Sequence, residues 1–598
     1  MKNFWKNTLS IALGSIITIV VIILILIGII SASFSGLSKL NNPQEELFGN
    51  AILKIKLETN VPDRANDNPF EDLNMFNSNI KKSLGLNDIL KTIEKAKTDP
   101  RIKGIFLDLT IIDVNMATLE EIRNKLLEFK ETYKFIISYS SSYSQKAYYL
   151  ATVSDKIYIN PQGNFSWKGL SSQVMFFKGL LEKLGVEAQI FRHGEFKSAV
   201  EPFMSTEMSP ASKKQTNELL QSVWIDICEK ISQARNISTE ELNTFADNLS
   251  VYDAKTALEN KFIDDIKYYD EVIDELKILS NLNDNEENLF ISISKYSKVK
   301  SAVIRDNLSN NEIAVIFAEG DIIDGDKTSN NSSSIAGNYM AKIIREAREN
   351  KNVKAVVLRV NSPGGSGLAS EIIWREVNNT KSEKPVVVSM GNYAASGGYY
   401  ISCPAHYIFA QPNTLTGSIG VFSMIPNIKK LMNDKLGITF DEVNTNQYSD
   451  YFSMTRPANE KEKEYFQRQV EDFYDIFMER VSEGRKMSKE EVDSIGQGRV
   501  WSGLNAIKIN LVDEIGGLND AVKKAVDLSN VSDYKIVEYP VRKKNFMSAF
   551  LENMSENISA KSLKEILLGE NNQVSEAIDK IKQMKGIQAR MPYELEID

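Results

Sequence analysis

The hydrophobic pattern begins with an apolar stretch from Ile11 to Ile30 that contains no charged residue. As a helix, these 20 residues are long enough to cross the hydrocarbon core of a bilayer, which is about 30 Å thick. Lys2 and Lys6 precede the stretch, and the residues directly after it carry no charge, so the positive-inside rule places the N-terminus in the cytoplasm. We therefore predict a cytoplasmic N-terminus at residues 1–9 and a transmembrane anchor at residues 10–32.

A cleaved signal peptide is an alternative interpretation of the same stretch. Ser31 and Ser33 form the small-x-small pair that is typical of a signal-peptide cleavage site. The apolar cores of signal peptides are usually about 7 to 15 residues long, which is shorter than this one. The pattern therefore favours an uncleaved anchor.

After the anchor, short apolar runs rich in β-branched residues alternate with helical patterns. The runs include GIFLDL and FIISYS in the first half of the chain and AVVLRV and VVVSM in the second. The helical patterns between them include LNDILKTIEKAK and MAKIIREAREN, whose apolar residues recur at intervals of three and four. This alternation predicts stacked β-α units with a largely parallel sheet, and therefore an α/β fold class.

The pattern also repeats itself along the chain. The segment at 101–109, RIKGIFLDL, resembles NVKAVVLRV at 352–360, and AYYLATVSDKIYINPQG at 147–163 resembles GYYISCPAHYIFAQPNT at 398–414, both at a spacing of 251 residues. Two further matches follow in the same order at nearly the same spacing. Matches that keep their order and spacing indicate a duplicated module.

We accordingly divide the rest of the chain into an N-terminal module at 48–300, a C-terminal module at 310–545 and a helical tail at 546–598. Each module ends in a helical region, such as KEKEYFQRQVEDFYDIFMERVSEG in the second. Its apolar residues also recur at three and four, which predicts packing on the module core in preference to a membrane.

Composition excludes several classes of protein. The 71 basic and 80 acidic residues are spread through all 598 positions and give a net charge of -9, so the sequence contains no basic face for nucleic acid. Cys228 and Cys403 are the only cysteines, which excludes a disulfide framework and a multi-cysteine zinc site. We expect no cofactor.

The two copies differ where chemistry is expected. After the strand AVVLRV the second copy continues NSPGGSG, with Gly364 and Gly365, whereas the first continues TIIDVNM. At the next strand end the second copy reads AASGGYY and the first reads YSQKAYY, which places Gln145 opposite Ser396. Only the second copy therefore has a glycine turn and a candidate nucleophile.

A serine nucleophile needs an adjacent base, and the chain offers three candidates. His406 and His193 are the only histidines, and neither lies in a segment that favours catalysis. The first copy carries Lys197 in HGEFKSAVEP, where the second has Ser449. This reciprocal loss between the copies favours the lysine, because burial can lower the pKa of an amine towards neutrality.

The glycine turn in NSPGG is suited to binding a developing oxyanion. Two backbone N–H groups held by such a turn stabilise the negative charge without a side chain. A phosphate-binding loop is a poorer interpretation, since no GK[ST] sequence follows and the glycines do not form G-x-G-x-x-G.

Five segments carry a resemblance to a known family. RVNSPGGSGLASEII, GNYAASGGYY, TLTGSIGVFS, GEFKSAVEPF and GRVWSGLNAIKINLVDEIGG resemble the long, duplicated form of the bacterial signal peptide peptidase A (protease IV) family. The resemblance implies a Clp protease/crotonase-like fold and a Ser/Lys dyad, with Ser396 as nucleophile and Lys197 as general base.

The same resemblance implies the remaining site residues. The oxyanion donors map to the N–H groups of Gly365 and Gly397, with Gly364 as an alternative. An auxiliary serine that hydrogen-bonds the lysine maps to Ser418, whose alternative role is to cap its own turn.

Substrate and location also follow from the resemblance. It implies cleavage of remnant signal peptides and other apolar peptides beside the lipid bilayer, with no nucleic-acid partner. It further implies a homotetramer in the bacterial inner (cytoplasmic) membrane, with a single membrane pass and both modules in the periplasm.

Two rival hypotheses remain at the level of sequence. A crotonase-like enzyme would bind acyl-CoA in the same cleft, but it would use a carboxylate base and need neither the serine nor the lysine. A catalytically inactive membrane scaffold would have no reason to keep the full set of site residues.

Overall fold

The computed structural model describes residues 49–65, 84–282, 286–300, 309–327, 334–541 and 586–591, together with Leu47. The predicted anchor at 10–32 and most of the predicted tail at 546–598 lie outside these ranges. Among the helices of the described ranges, none combines the length and the apolar character that crossing a membrane requires.

The first half of the chain forms seven strands and eleven helices within the described residues. The strands are β1 (Ala51–Leu57), β2 (Ile102–Ile112), β3 (Phe135–Ser140), β4 (Lys156–Ile159), β5 (Glu187–Arg192), β6 (Asp265–Ile266) and β7 (Phe290–Ser292). The helices are α1 (Leu86–Thr98), α2 (Met116–Lys130), α3 (Gln145–Ala151), α4 (Lys178–Leu184), α5 (Glu201–Met204), α6 (Pro210–Arg235), α7 (Thr239–Asp247), α8 (Ala254–Glu259), α9 (Tyr269–Ser280), α10 (Glu286–Leu289) and α11 (Ile293–Lys298).

The second half repeats this order and adds short strands. Its strands are β8 (Glu312–Glu319), β9 (Ile322–Ile323), β10 (Ile335–Ala336), β11 (Val353–Ser362), β12 (Gly364–Ser366), β13 (Val386–Ala395), β14 (Tyr407–Ala410), β15 (Leu415–Gly417), β16 (Phe422–Asn427), β17 (Val500–Ser502), β18 (Glu514–Ile515), β19 (Lys535–Tyr539) and β20 (Gln588–Arg590). Its helices are α12 (Gly337–Glu349), α13 (Gly367–Lys381), α14 (Gly397–Ser402), α15 (Glu460–Arg485), α16 (Lys489–Ile495), α17 (Gly503–Lys508) and α18 (Leu518–Ser529).

Each half builds a parallel sheet with the same strand order. The first sheet runs β6-β4-β3-β2-β1-β7, and the second contains the equivalent run β18-β14-β13-β11-β8-β19. All pairings within these two runs are parallel, as expected when helices connect successive strands. The predicted α/β class and the duplication are therefore confirmed.

The central strands are buried on both faces because helices cover each sheet from two sides. In β11, Val356 and Leu358 pack into one apolar cluster, whereas Ala355 and Val357 pack into another on the opposite face. Alternate side chains of a strand point to opposite faces, so a near-continuous apolar run fits this position. Burial of the central strands on both faces therefore explains the short apolar runs in the sequence.

The long helix α15 lies against the core of the second half, as its spacing predicted. Phe466, Val470, Tyr474, Phe477 and Val481 are buried at intervals of three and four residues. The equivalent helix of the first half, α6, also has 26 residues.

A buried ion cluster joins the two halves. Arg359 in β11 is fully buried and donates to Asp63, with Nε to Oδ1 at 2.9 Å, and its Nη2 lies 2.7 Å from Glu121 Oε1. Asp63 and Glu121 belong to the first half. Nearby, Asn392 of β13 donates to Thr118 Oγ1 at 2.8 Å. These contacts fix α2 against the second sheet.

A third sheet crosses between the halves in the order β10-β9-β12-β20-β16-β5. Strand β5 of the first half pairs antiparallel with β16 of the second over six residue pairs. Strand β20 comes from the tail for which we predicted helix, so that prediction is wrong for Gln588–Arg590. This sheet brings three distant parts of the chain to one edge of the second module.

Candidate active site

Ser396 lies in a sharp turn between β13 and α14. Its φ of +55° is in the left-handed region, and its N–H donates to Gly417 O at 2.8 Å. The glycines that follow are needed for space, because a Cβ on Gly398 would lie 2.6 Å from Ser362 O. Positive φ is uncommon at a non-glycine residue, and such strained conformations are found at active sites as well as in turns. The turn therefore presents a fully buried serine at the end of a strand.

Lys197 reaches this serine from the first half of the chain. Pairing of β5 with β16 carries the following loop across the module boundary, where Phe196 N–H donates to Gln497 O at 2.9 Å. Lys197 Nζ lies 2.8 Å from Ser396 Oγ, and both side chains are fully buried. The predicted pairing of residues 199 positions apart is thus present in the geometry.

Ser418 completes a cluster around the lysine. Lys197 Nζ donates to Ser418 Oγ at 3.1 Å and to its carbonyl oxygen at 3.3 Å. The Ser418 hydroxyl donates in turn to Gly498 O at 3.4 Å. The Ser418 side chain therefore contacts the Lys197 amine, which favours the auxiliary role for Ser418 over the alternative in which it only caps its own turn.

The electrostatic setting of Lys197 favours the neutral amine. Its hydrogen-bond acceptors are two hydroxyl oxygens and one carbonyl, all uncharged. Burial lowers the pKa of Lys197 well below its ordinary value of 10.5, because a charged amine loses its hydration in the interior. A neutral amine 2.8 Å from a hydroxyl can accept its proton.

The glycine turn of NSPGGSG lies directly against the serine turn. A Cβ on Gly364 would lie 2.8 Å from Gly397 N and 3.1 Å from Ala395 O. The Gly364 N–H is already used, since it donates to Ser362 Oγ at 3.2 Å. Gly397 is the first residue of α14, where N–H groups have no acceptor within the helix. The Gly397 N–H is therefore better placed than that of Gly364 to donate to an oxyanion, whereas Gly365 lies in β12, paired with Ala589 and Ile322.

Both histidines are used structurally. The ring of His193 stacks on Tyr474 with centroids 4.0 Å apart. His406 Nδ1 accepts from Val386 N–H at 3.1 Å, as Asp155 accepts from Ile136 N–H in the first half. The position of His406 is therefore that of a turn leading into a strand.

In the first half, Gln145 occupies the position equivalent to Ser396. Gln145 accepts from the N–H groups of Lys168 and Gly169 at 2.9 Å each. At the spacing of 251 residues, Trp167 stands where the second copy has Ser418, and it is buried. Ser449, opposite Lys197 in the repeat, is exposed on a turn. The first copy therefore lacks both the nucleophilic serine and the auxiliary serine.

Sequence reasoning missed two residues. Gly498 has φ +80°, and a Cβ there would lie 2.6 Å from Lys197 Cβ. Nothing in the sequence around Gly498 signals this contact. Trp167, by contrast, could have been found from the repeat spacing alone.

A hydroxyl, a neutral amine and two backbone N–H groups are the parts of a serine-type acyl-transfer site. The comparisons agree with this class. The sequence matches Peptidase family S49 at residues 128–283 and 378–532, one match in each half. The chain belongs to this family and is a serine-type peptidase.

Three relatives illustrate the similarity. Protease 4 of Haemophilus influenzae is 36% identical over 85% of this chain and 83% of its own length. The chloroplastic serine protease SPPA of Arabidopsis thaliana is 31% identical over 86% of this chain and 75% of its own. The putative signal peptide peptidase SppA of Enterococcus faecium is 32% identical over 43% of this chain and 75% of its own.

Proposed function

We propose that the protein is a membrane-anchored endopeptidase that degrades cleaved signal peptides with a dyad of Ser396 and Lys197. The observation that carries the proposal is the 2.8 Å contact between Lys197 Nζ and Ser396 Oγ. A buried lysine beside a hydroxyl has little structural value, since desolvation of the amine is unfavourable. The contact therefore supports a chemical role.

In the first step, the neutral amine of Lys197 accepts the hydroxyl proton as Ser396 Oγ attacks the carbonyl carbon of a peptide. The negative charge on the former carbonyl oxygen is stabilised by the N–H groups of Gly365 and Gly397. As the C–N bond breaks, the lysine returns the proton to the leaving amine. An acyl-enzyme ester and a shortened peptide result.

In the second step, a water molecule takes the place of the leaving amine. Lys197 accepts a proton from the water, whose oxygen attacks the ester, and then returns the proton to Ser396 Oγ. The products are a free carboxylic acid and the regenerated serine. Ser418 holds the amine in line with the nucleophile through its 3.1 Å contact.

Substrate and location are extensions of this chemistry. An anchor at residues 10–32 would hold the modules beside the bilayer, where apolar signal peptides remain after preprotein cleavage. The Enterococcus faecium relative is named for this substrate. We propose that the protein is anchored in the bacterial inner membrane with both modules in the periplasm. Each module then has a Clp protease/crotonase-like fold, and the protein assembles as a homotetramer. An acyl-CoA enzyme or an inactive scaffold is less well supported, because neither needs the lysine–serine contact.

Hydrolysis of an apolar peptide by the detergent-solubilised full chain tests the dyad. Ser396→Ala and Lys197→Ala each abolish cleavage, by about 10⁴-fold or more for a catalytic unit, whereas the matched control Ser449→Ala cleaves normally. Cleavage that survives in both dyad variants contradicts the proposal. Membrane fractionation with and without residues 1–32 tests the anchor, and sedimentation of the solubilised protein tests the tetramer.

A further inference from the structure

The loop that carries Lys197 is held by a turn of the second half at 496–498. Phe196 N–H donates to Gln497 O at 2.9 Å. A Cβ on Gly498 would lie 2.6 Å from Lys197 Cβ, so the turn and the loop are in close contact. Gln497 and Gly498 have φ of +54° and +80°, both in the left-handed region. A non-glycine residue keeps such a conformation only where its surroundings fix it.

The hydroxyl of Tyr474, in α15, fixes this turn. It accepts from Gln497 N–H at 3.1 Å and donates to Asp493 Oδ1 at 2.7 Å. A Cβ on Gly496 would lie 3.0 Å from the hydroxyl oxygen, so the turn wraps closely around it. The Gln497 side chain also donates to Asp493. One hydroxyl therefore satisfies the backbone of the turn and connects it to a carboxylate on the preceding helix.

The ring of Tyr474 contacts the lysine loop from its other end. It stacks on the ring of His193, with centroids 4.0 Å apart and 23° between the planes. His193 precedes Lys197 by four residues. Tyr474 therefore touches the loop directly at His193 and, through Gln497, at the residue next to the lysine. The side chain is only 2% exposed, so both contacts are made away from solvent.

The surroundings of Tyr474 keep its hydroxyl protonated. Burial raises the pKa of Tyr474, and the hydrogen bond to Asp493 raises it further. A phenol can donate one hydrogen bond and accept another at the same time. The hydroxyl therefore serves the carboxylate and the turn together over the pH range in which a lysine base would be assayed.

The duplication supplies an internal comparison. The helices α6 and α15 begin 250 residues apart, which places Trp224 opposite Tyr474. The helices α7 and α16 begin at the same spacing, which places Asn243 opposite Asp493. Trp224 Nε1 donates to Asn243 Oδ1 at 2.8 Å, but an indole N–H is a donor only and cannot accept from a backbone N–H. The copy without the lysine therefore also lacks the acceptor for the turn.

We infer that Tyr474 is a positioning residue for Lys197, because its hydroxyl and ring hold the turn and the loop that place the amine beside Ser396. The inference rests on the proposed dyad. Lys197 Nζ lies 2.8 Å from Ser396 Oγ and needs burial to remain a neutral amine. Without the hydroxyl, Gln497 N–H loses its acceptor and the turn shifts to regain one from water. Such a shift weakens the contact with the serine and hydrates the amine.

The variant Tyr474→Phe tests this in the full chain, with kcat and KM for an apolar peptide measured over a range of pH. We expect kcat to fall about tenfold or more, as for a catalytic group that is slightly misplaced, while KM changes little. The pH–rate profile should rise through a higher apparent pKa than in the wild type, because a hydrated amine is closer to its ordinary 10.5. An apparent pKa that stays at the wild-type value overturns the inference, since a loss of stability alone does not move it.

Trp224→Phe is the matched control. It removes the equivalent hydrogen bond in the copy without the lysine, so its thermal midpoint falls while kcat and the pH–rate profile remain those of the wild type. Asp493, which is half-exposed, tests the same link without altering the buried ring. Asp493→Asn keeps an acceptor oxygen and the wild-type profile, whereas Asp493→Ala moves the profile in the direction of Tyr474→Phe. A Trp224→Phe protein with the shifted profile, or an Asp493→Ala protein without it, contradicts the positioning role.

The outcomes also separate this inference from the proposed function. A wild type that cleaves no peptide, or cleavage that survives in Lys197→Ala, overturns the dyad and the inference together. Activity that depends on Lys197 but is unchanged in Tyr474→Phe overturns the positioning role alone.

Discussion

Gly498 allows a sharp test of how the lysine is positioned. A Cβ added at this residue would meet the N, Cα and Cβ atoms of Lys197 at 2.6 to 2.7 Å. The difference between 2.6 Å and an ordinary contact of 3.4 Å, about 0.8 Å, must be absorbed by a shift of the backbone. Lys197 Nζ lies 2.8 Å from Ser396 Oγ, so a shift of that size away from the serine breaks the hydrogen bond.

We expect Gly498→Ala to lower kcat about a hundredfold, the usual cost of misplacing a catalytic group by about 1 Å. This corresponds to about 2.7 kcal/mol in the activation barrier. The left-handed φ of +80° also strains an alanine, at about 1 to 2 kcal/mol in stability. The effect on KM should be small, because the added methyl group contacts Lys197, the proposed general base.

Gly437→Ala is the matched control. Gly437 has φ +68° and nothing within 4 Å of an added Cβ, so the variant carries similar backbone strain without the contact. The assay measures kcat and KM on an apolar peptide together with the thermal midpoint of each variant. A Gly498→Ala protein that is as stable as Gly437→Ala and keeps its kcat would refute the reasoning.

Four further predictions follow from the site and the interface. Burial lowers the pKa of Lys197 well below 10.5, and the base must be neutral, so a pH–rate profile should rise through an apparent pKa below 10.5; a flat profile contradicts this. Burial lowers the pKa of Lys197 in the folded chain below its ordinary value of 10.5, so between the lowered pKa and 10.5 the unfolded chain binds the extra proton and the stability of the wild type rises with pH; the thermal midpoint of Lys197→Met should lack this rise. Arg359→Met leaves Asp63 and a second carboxylate buried without their cation and should cost about 3 to 5 kcal/mol in urea unfolding. Gln145→Ser in a chain whose own nucleophile has been removed should restore no hydrolysis, because Trp167 fills the equivalent of the auxiliary serine, and a peptide-cleavage assay checks this.

Much of the architecture could be predicted because it is encoded locally. Short apolar runs predict the buried strands, apolar residues at intervals of three and four predict the helices, and a duplication preserves the same pattern at a constant spacing. The comparison of the copies also identified Ser396 and Lys197, since each copy had lost what the other retained. Here the sequence by itself determined the fold class and the repeat, and it selected the two residues of the proposed dyad.

Tertiary structure alone decided how these residues meet. The antiparallel pairing of β5 with β16, the contact of Gly498 with Lys197 and the docking of β20 on the glycine strand all depend on backbone groups. Backbone hydrogen bonds are the same for almost every residue type, so they leave no pattern in the sequence. Burial of Lys197 depends in the same way on parts of the chain far apart in sequence, and only their packing lowers its pKa.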